Sequence, residues 1–254
     1  MRHILISFVF INILTSFSFG QILVGGNQPT AKEKKAKVTT QKNKISDSTI
    51  FNTKVFLGAG VGSTFRSLKP NSNELFADSL GARANETART GWNFNLGFTT
   101  DLNKYLMMEG GVSYFFNGEK YNFQDTDTSH TYDSKYSWIG VPLKLHFKYD
   151  IKKFRISLGA GVIPQMQLKF RQESTTVDRL NMSTENSLKT THGMNSFSIS
   201  AIGTLGFHYN ITRRFGAYLN VDYRRQLTSS YQKTNPYNHQ GTAFGGTIGF
   251  TFGI

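Results

Sequence analysis

From residue 55 to the end of the chain, apolar side chains recur at every second position over long stretches. In one of them, Ile139, Val141, Leu143, Leu145 and Phe147 alternate with smaller or charged residues. A period of two is the side-chain period of a β-strand. Eight such stretches follow one another, and most exceed the roughly five or six residues of an ordinary strand. The sequence therefore predicts an all-β fold made of eight long strands.

The connections between the predicted strands alternate between two lengths. The short turns span residues 101–104, 150–153 and 210–214, and the long polar stretches span residues 67–90, 118–135, 171–195 and 228–240. Short turns at one end and long loops at the other are typical of an up-and-down transmembrane β-barrel.

The width of the lumen decides which face of this barrel points outward. An eight-stranded barrel has an interior just wide enough for side chains, so about forty bulky apolar groups do not fit inside it. The intervening positions are rich in Gly, Ser, Thr and Asn, which do fit. We therefore expect an eight-stranded antiparallel barrel over residues 55–254, with its apolar face in contact with the lipid of an outer membrane. The alternative is a soluble, lipocalin-like carrier, which requires the apolar face to point inward.

Two prolines interrupt the predicted strands. Pro142 and Pro164 both fall inside alternating stretches. Because proline donates no hydrogen bond to a strand ladder, each is expected to mark a bulge or a locally missing bond.

The first 54 residues lack the alternation and divide into two parts. Residues 1–20 have a basic start, an apolar stretch and small residues before Gln21, which is the pattern of a secretory signal peptide. Residues 21–54 contain seven lysines against two acidic residues and few apolar side chains. We expect this second segment to be basic, flexible and periplasmic.

Aromatic residues cluster at the ends of the predicted strands. Such clusters form girdles at the two membrane interfaces of outer-membrane barrels. The predicted interface aromatics are Trp92, Tyr105, Trp138, Tyr149, Tyr209, Phe215, Phe250 and Phe252.

Charged residues that alternate with the apolar ones are expected to point into the lumen. They are Glu109, Lys144, His146, Lys148, Arg155, His208, Asp222 and Arg224. Because a buried charge needs a partner, we interpret this set as a polar network that fills the lumen. The alternative interpretation is an enzyme that modifies lipid A acyl chains, with a histidine among its catalytic residues.

The composition excludes several other kinds of site. The chain has no cysteine, which removes disulfides, thiolate metal sites and cysteine nucleophiles. Beyond residue 54, the remaining part of the +13 formal charge is spread along the chain. No stretch there combines basic and aromatic residues in the pattern that predicts nucleic-acid binding. Asp125 and Asp127 have the spacing of the first ligands of a calcium loop, but His130 and Tyr136 stand where that loop needs Gly and Glu. We expect no metal site, no cofactor and no nucleic-acid partner.

Two stretches resemble a known family. The segment WIGVPLKL, from Trp138 to Leu145, resembles the fourth-strand region of PorT-like outer-membrane β-barrel proteins, with Gly140 where the family usually has Glu. The Gly-rich run from Leu158 to Pro164 is similar to that family's fifth strand. The resemblance implies an OmpA-like eight-stranded barrel in a Gram-negative outer membrane and assigns no activity.

The C-terminal strand carries a second resemblance. Phe244, Ile248, Phe250 and Phe252 alternate with small residues, which resembles the strand that the barrel-insertion machinery recognises. That machinery is therefore an expected partner during biogenesis.

The predicted function follows from this architecture. A filled lumen does not suit a solute pore, and loops on a rigid scaffold commonly carry binding. We expect a non-enzymatic barrel that acts as a structural, adhesion or secretion-accessory element. Outer-membrane lipid and a protein bound through the extracellular loops are its expected partners.

Overall fold

The computed structural model describes residues 52–70, 85–189, 193–235 and 237–254. The predicted signal peptide and all but the last residues of the predicted basic segment lie outside these ranges. The described residues include no helix long and apolar enough to cross a membrane. They form ten strands: β1 Thr53–Pro70, β2 Glu86–Asp101, β3 Leu106–Gln124, β4 Ser129–Gly140, β5 Leu143–Ile151, β6 Phe154–Val177, β7 Ser183–Leu188, β8 Phe197–Asn210, β9 Phe215–Gln226 and β10 Tyr237–Gly253.

The strands close into a ring of antiparallel pairs. The first and last strands pair along their whole length, from Lys54 opposite Gly253 to Pro70 opposite Tyr237. The other neighbours are β1 with β2, β2 with β3, β6 with β8, β8 with β9 and β9 with β10. Both β4 and β5 lie between β3 and β6. Closure pairs the backbone groups that hydrocarbon would leave unsatisfied.

The strands β4 and β5 are two parts of one barrel strand. The break falls at Val141 and Pro142, and Pro164 of β6 lies across from it. The Val141 amide donates to the Pro164 carbonyl oxygen at 2.9 Å. Because the nitrogen and the carbonyl of one strand residue point to the same side, the donor that Pro164 lacks also faces this break. Each proline thus marks a locally missing bond, as predicted, and the structure adds that both lie at the same discontinuity. Since β7 pairs only with β6, eight strands form the wall.

Several stretches predicted as loops are instead strand. The β3 and β4 strands continue to a tight turn, in which the Asp125 amide donates to the Thr128 carbonyl oxygen at 2.8 Å. The predicted loop 171–195 contains the end of β6 and all of β7. The loop prediction was wrong here because alternating hydropathy reports only strand that has one apolar side. Paired strand with water on both sides carries no such signal.

The burial pattern places the apolar face outward. In β5, Leu143 and Phe147 are 52% and 68% exposed, whereas Lys144 and His146 between them are 7% and 1% exposed. The same alternation runs through the wall, where large apolar side chains cover the outer surface. In water such a surface would be a very large apolar patch, whereas lipid tails match it. The lipocalin-like alternative is therefore wrong, because its apolar side chains would have to line the interior.

The interior is less polar than predicted. Buried apolar side chains form a cluster in the half of the lumen near the long loops; its members are Phe115, Tyr136, Trp138, Ile163, Phe170 and Met194. Trp138 is fully buried in it, so its assignment as an interface aromatic was wrong. The alternation that turns Ile139 outward turns its neighbour Trp138 inward.

Candidate functional site

At the short-turn end, the lumen is filled by paired charges. The Arg155 guanidinium contacts two carboxylates, Asp150 at 2.6 Å and Asp101 at 2.9 Å. Lys148 lies 2.8 Å from Asp101, and Lys54 donates to Asn210 at 2.6 Å. Arg155 is held on β6 while both acids stand next to turns, so these contacts fasten the turns to the wall. Paired in this way, the charges can be buried.

Around the middle of the lumen, polar side chains contact one another from strand to strand. Glu109 of β3 pairs with Lys144 of β5 at 2.6 Å, and His146 lies 3.2 Å from the same carboxylate. Lys144 donates to Thr204 of β8 at 3.4 Å. Thr204 in turn donates to Asp222 of β9 at 2.6 Å. These contacts cross from one side of the barrel to the other.

The same chain of contacts returns along the remaining strands. The Thr247 hydroxyl of β10 lies 3.4 Å from Asp222 and 3.1 Å from the side-chain oxygen of Asn93. Asn95 donates to Asn93 at 2.9 Å, and Ser113 donates to Asn95 at 2.5 Å. The chain of contacts therefore begins at Glu109 and ends at Ser113, both on β3, after it has passed around the lumen. We call this set the lumen ring.

Two predicted lumen residues have other contacts. Arg224 lies 3.6 Å from the centre of the Phe115 ring and donates to Asn117 at 2.6 Å. His208 lies 3.5 Å from the Ser157 hydroxyl, at the outer limit of a hydrogen bond, and its ring stacks on Tyr218. Ser157 is buried in the wall of the lumen. The eight predicted lumen charges therefore do point inward, in four separate groups of contacts.

Above the lumen ring, the interior is closed by the apolar cluster. Met194 lies in the chain segment that leads into β8. Its side chain enters this cluster, and its backbone forms an antiparallel bridge with Tyr231. Asn195 fixes the segment by donating to the backbone carbonyls of Ser229 and Tyr231 at 3.0 and 2.8 Å. Burial raises the pKa of Tyr231 in this loop. Among the residues that the structure describes, a cavity at the level of the lumen ring has a volume of about 60 Å³, which holds a few water molecules and not a solute.

At the long-loop end, a second ionic group supports the wall. Arg66 pairs with Glu86 at 2.5 Å and lies 3.4 Å from Glu119, which is buried. The Arg66 guanidinium also donates to the Tyr132 hydroxyl. Sequence reasoning missed Glu119. Its inward direction could have been predicted, because Glu119 has the same odd-numbered parity along β3 as the inward-facing Glu109.

Beyond this ionic group, the strand extensions form an open cleft of about 810 Å³. Cross-strand register sets Tyr121 of β3 opposite Tyr132 of β4, and Tyr132 opposite Ser174 of β6. The row ends at Asn186 of β7. We call this surface the hairpin cleft; its lining residues are Thr87, Lys120, Tyr121, Asn122, Thr131, Tyr132, Asp133, Glu173, Ser174, Thr175, Glu185, Asn186 and Ser187.

No metal centre is found in the part of the chain that the structure describes. No group of three or more His, Asp or Glu side chains is placed there to hold an ion. Asp125 and Asp127, which have a calcium-like spacing, lie in and beside the tight turn between β3 and β4. The Asp125 carboxylate accepts from the neighbouring Thr126 amide at 2.8 Å.

The remaining predicted interface aromatics lie on the outer surface. Trp92 is toward the long-loop end, and the others flank the short turns. Phe215 packs against Phe250 and Phe252, with ring centres 5.6 and 5.2 Å apart. These two contacts join β9 to β10 on the lipid side. The chain is an eight-stranded membrane barrel of the outer-membrane class.

Comparisons with known proteins found solved outer-membrane proteins of similar structure. No protein-family model matches this chain, and no curated protein matches its sequence. The outer membrane protein OprG from Pseudomonas aeruginosa is similar in structure, with 14% identity, a TM-score of 0.46, and coverage of 80% of this chain and 96% of OprG. The outer membrane protease OmpT from Escherichia coli has 9% identity and a TM-score of 0.41, with coverage of 80% and 98%. The attachment invasion locus protein of Yersinia pestis has 13% identity and a TM-score of 0.30, with coverage of 80% and 99%. We take no activity from these neighbours, because one fold can host unrelated functions.

Proposed function

We propose that this protein is a non-enzymatic element of a Gram-negative outer membrane that acts through its extracellular strand extensions. Its role is that of an adhesion, scaffold or secretion-accessory barrel. The observation that carries the proposal is that β3, β4, β6 and β7 extend past the lipid-facing wall as a paired polar sheet. A rigid scaffold that holds such a surface outside the membrane favours binding.

The filled interior supports this assignment over transport. The lumen ring and the apolar cluster occupy the interior at two levels, and the cavity between them is small. Small barrels of this kind are filled by side chains and do not enclose a channel. The nearest hydroxyl–histidine pair in the lumen, Ser157 and His208, is at a marginal distance, and Ser157 is buried. A lipid substrate would have no access to that hydroxyl.

The finer assignments from the sequence belong to the same proposal. We place residues 1–20 as a signal peptide, residues 21–54 as a basic periplasmic segment and the barrel in the PorT-like family. The C-terminal strand would engage the insertion machinery, and the outward aromatics would sit at the two lipid interfaces. The motifs that support family membership are the segment from Trp138 to Leu145, with its break at Pro142, and the Gly-rich run in β6.

The proposal is tested by shortening the extensions while the wall is kept. Replacing residues 173–187 of β6 and β7, or residues 120–133 of β3 and β4, with a Gly-Asn turn removes the strand ends that line the hairpin cleft. The new turns join residues that are already paired across the strands, Gln172 with Leu188 and Glu119 with Ser134. We expect the native barrel to persist, seen as heat-modifiable gel mobility. We also expect surface attachment, or capture of a cross-linked partner by whole cells, to be lost.

Two controls complete this test. A turn replacement at residues 211–214 on the periplasmic side should leave attachment and capture unchanged. Lipid A from cells with and without the gene is compared by mass spectrometry. A changed lipid A profile, or unaltered attachment and capture after both extensions are shortened, would overturn the proposal.

A further inference from the structure

We propose that the hairpin cleft binds a neutral, hydroxyl-rich oligosaccharide. This inference rests on the proposed function and names the ligand class of the same extracellular surface. With a volume of about 810 Å³, the cleft is large enough for a short glycan of a few sugar rings. It is also built from five strands of one paired sheet, so its lining residues are held at fixed spacing.

The aromatic part of the cleft is rigid. The rings of Tyr121 and Tyr132 stack with their centres 4.9 Å apart and their planes within 4°. Arg66 supports Tyr132 from within the barrel, both through the phenol oxygen and through its guanidinium 5.5 Å from the ring centre. His130 packs at a tilt against both tyrosines. Because the rings are already fixed, a ligand that stacks on them orders few side chains on binding.

The polar part of the cleft suits vicinal hydroxyl groups. On the same face of the sheet as Tyr121 and Tyr132, Asn186 offers an amide that both donates and accepts. Ser174 of β6 adds a hydroxyl between Tyr132 and Asn186 on that face. Leu, Ile, Val, Met and Phe do not occur among the lining residues, so the cleft does not suit an acyl chain or an apolar peptide.

The charges of the cleft favour an uncharged ligand. Arg89 pairs with Asp133 at 2.5 Å, and Arg171 pairs with Glu173. The remaining charged lining residues, Lys120 and Glu185, are of opposite sign, and strand alternation places both on the other face of the sheet from Tyr121 and Asn186. The cleft and the residues that pair with it therefore hold equal numbers of cations and anions. A sulfated or phosphorylated ligand would find no excess of positive charge.

The test is a calorimetric titration of the full chain, folded in detergent, with chitotriose and with maltotriose. We expect at least one of the two to bind, with an affinity that changes little with salt. Tyr121→Ala and Asn186→Ala should each weaken that binding by about tenfold, which is the size of one lost stacking or hydrogen-bonding contact. Tyr105→Ala, an exposed tyrosine beside a short turn, is the matched control and should bind like the parent.

Three outcomes would overturn the inference. They are the absence of heat with both sugars, unchanged affinity in both cleft variants, and tighter, salt-sensitive binding of a sulfated hexasaccharide. Heat-modifiable mobility of each variant shows that the barrel is folded. If sugars fail to bind while shortening the extensions abolishes attachment and capture, the ligand class is wrong and the proposed function stands. If sugars bind but shortening changes neither attachment nor capture, the ligand class stands and the proposed function falls.

Discussion

At the scale of single residues, the lumen shows why charges in this chain cannot be judged from residue type alone. Arg155 and Arg171 are both arginines on β6, and each contacts a carboxylate. The Arg155 side chain is 10% exposed and holds two acids, whereas that of Arg171 is 49% exposed and holds one. An exposed pair contributes little because water and salt screen it, whereas a buried carboxylate that loses its partner is costly.

Replacing Arg155 is therefore expected to destabilise the barrel. In Arg155→Met, Asp101 keeps Lys148, but Asp101 and Asp150 both lose the shared guanidinium. We expect a loss of about 2–3 kcal/mol, below the range for fully buried pairs because Asp150 is partly exposed. Urea titration followed by heat-modifiable mobility measures it. The control Arg171→Met should change stability by less than about 0.5 kcal/mol, and equal losses in the two variants would contradict this account.

The chain has two tryptophans, and they provide a second test because one faces outward and the other faces the lumen. Trp92 is 59% exposed on the outer surface, whereas Trp138 is fully buried in the lumen. The Trp138→Phe variant retains Trp92, and we expect brominated lipid to quench its fluorescence strongly. Trp92→Phe, which retains Trp138, should be quenched little. Similar quenching of both variants would show that Trp138 faces lipid after all.

At the scale of elements, strand pairing in the wall depends on where the backbones come close together. A Cβ atom added at Gly97 of β2 would lie 2.2 Å from the Gly110 carbonyl oxygen and 2.8 Å from the Phe56 ring. A Cβ atom added at Gly203 of β8 would have no atom within 4 Å. The two glycines look alike in the sequence, but only the first is required by its neighbours.

We accordingly predict different effects of the same substitution. Gly97→Ala should force β2 and β3 apart and destabilise the barrel by about 1–3 kcal/mol. Gly203→Ala should fall within about 0.5 kcal/mol of the parent, because it fills open space. Refolding into detergent, with the folded fraction read from gel mobility against urea, compares them. Equal tolerance of both substitutions would show that the pairing of β2 with β3 is looser than described.

At the scale of the whole barrel, the interior is occupied from one end to the other. Paired charges fill the short-turn end, the lumen ring crosses the middle, and aromatic side chains close the end near the long loops. Each level joins strands that are distant along the chain. The interior thus stabilises the closed form and blocks passage.

This filling predicts the electrical behaviour of the purified protein. In planar lipid bilayers, the full chain should give no stable conductance steps, because the central cavity of about 60 Å³ holds only a few waters. A variant that opens the apolar cluster, Trp138→Gly together with Phe115→Gly, is the control for detection. Stable steps from the parent protein would contradict the filled lumen.

The sequence alone predicted the fold because its strongest signal, the alternation of apolar side chains, has a direct physical cause. Alternation over eight long stretches, with too many bulky side chains for one lumen, leaves a closed barrel with its apolar face outward as the consistent solution. The inward direction of Glu109, Lys144 and Asp222 followed from the same parity. An irregularity at Pro142 and another at Pro164 could also be predicted, since proline lacks a donor whatever surrounds it, but only the structure showed that they lie at one break.

Only the tertiary structure decided what the inward residues contact and where the strands end. The lumen ring links residues up to 154 positions apart, and no local pattern reports which strand lies across a lumen. The extensions of β3, β4, β6 and β7 carry mostly polar side chains and no Leu, Ile or Val face, so their pairing leaves little hydropathy period in the sequence. The hairpin cleft was invisible for the same reason. The hydropathy pattern of a strand reflects whether each of its faces contacts lipid, water or the interior. A binding surface depends instead on which side chains the closed sheet brings together.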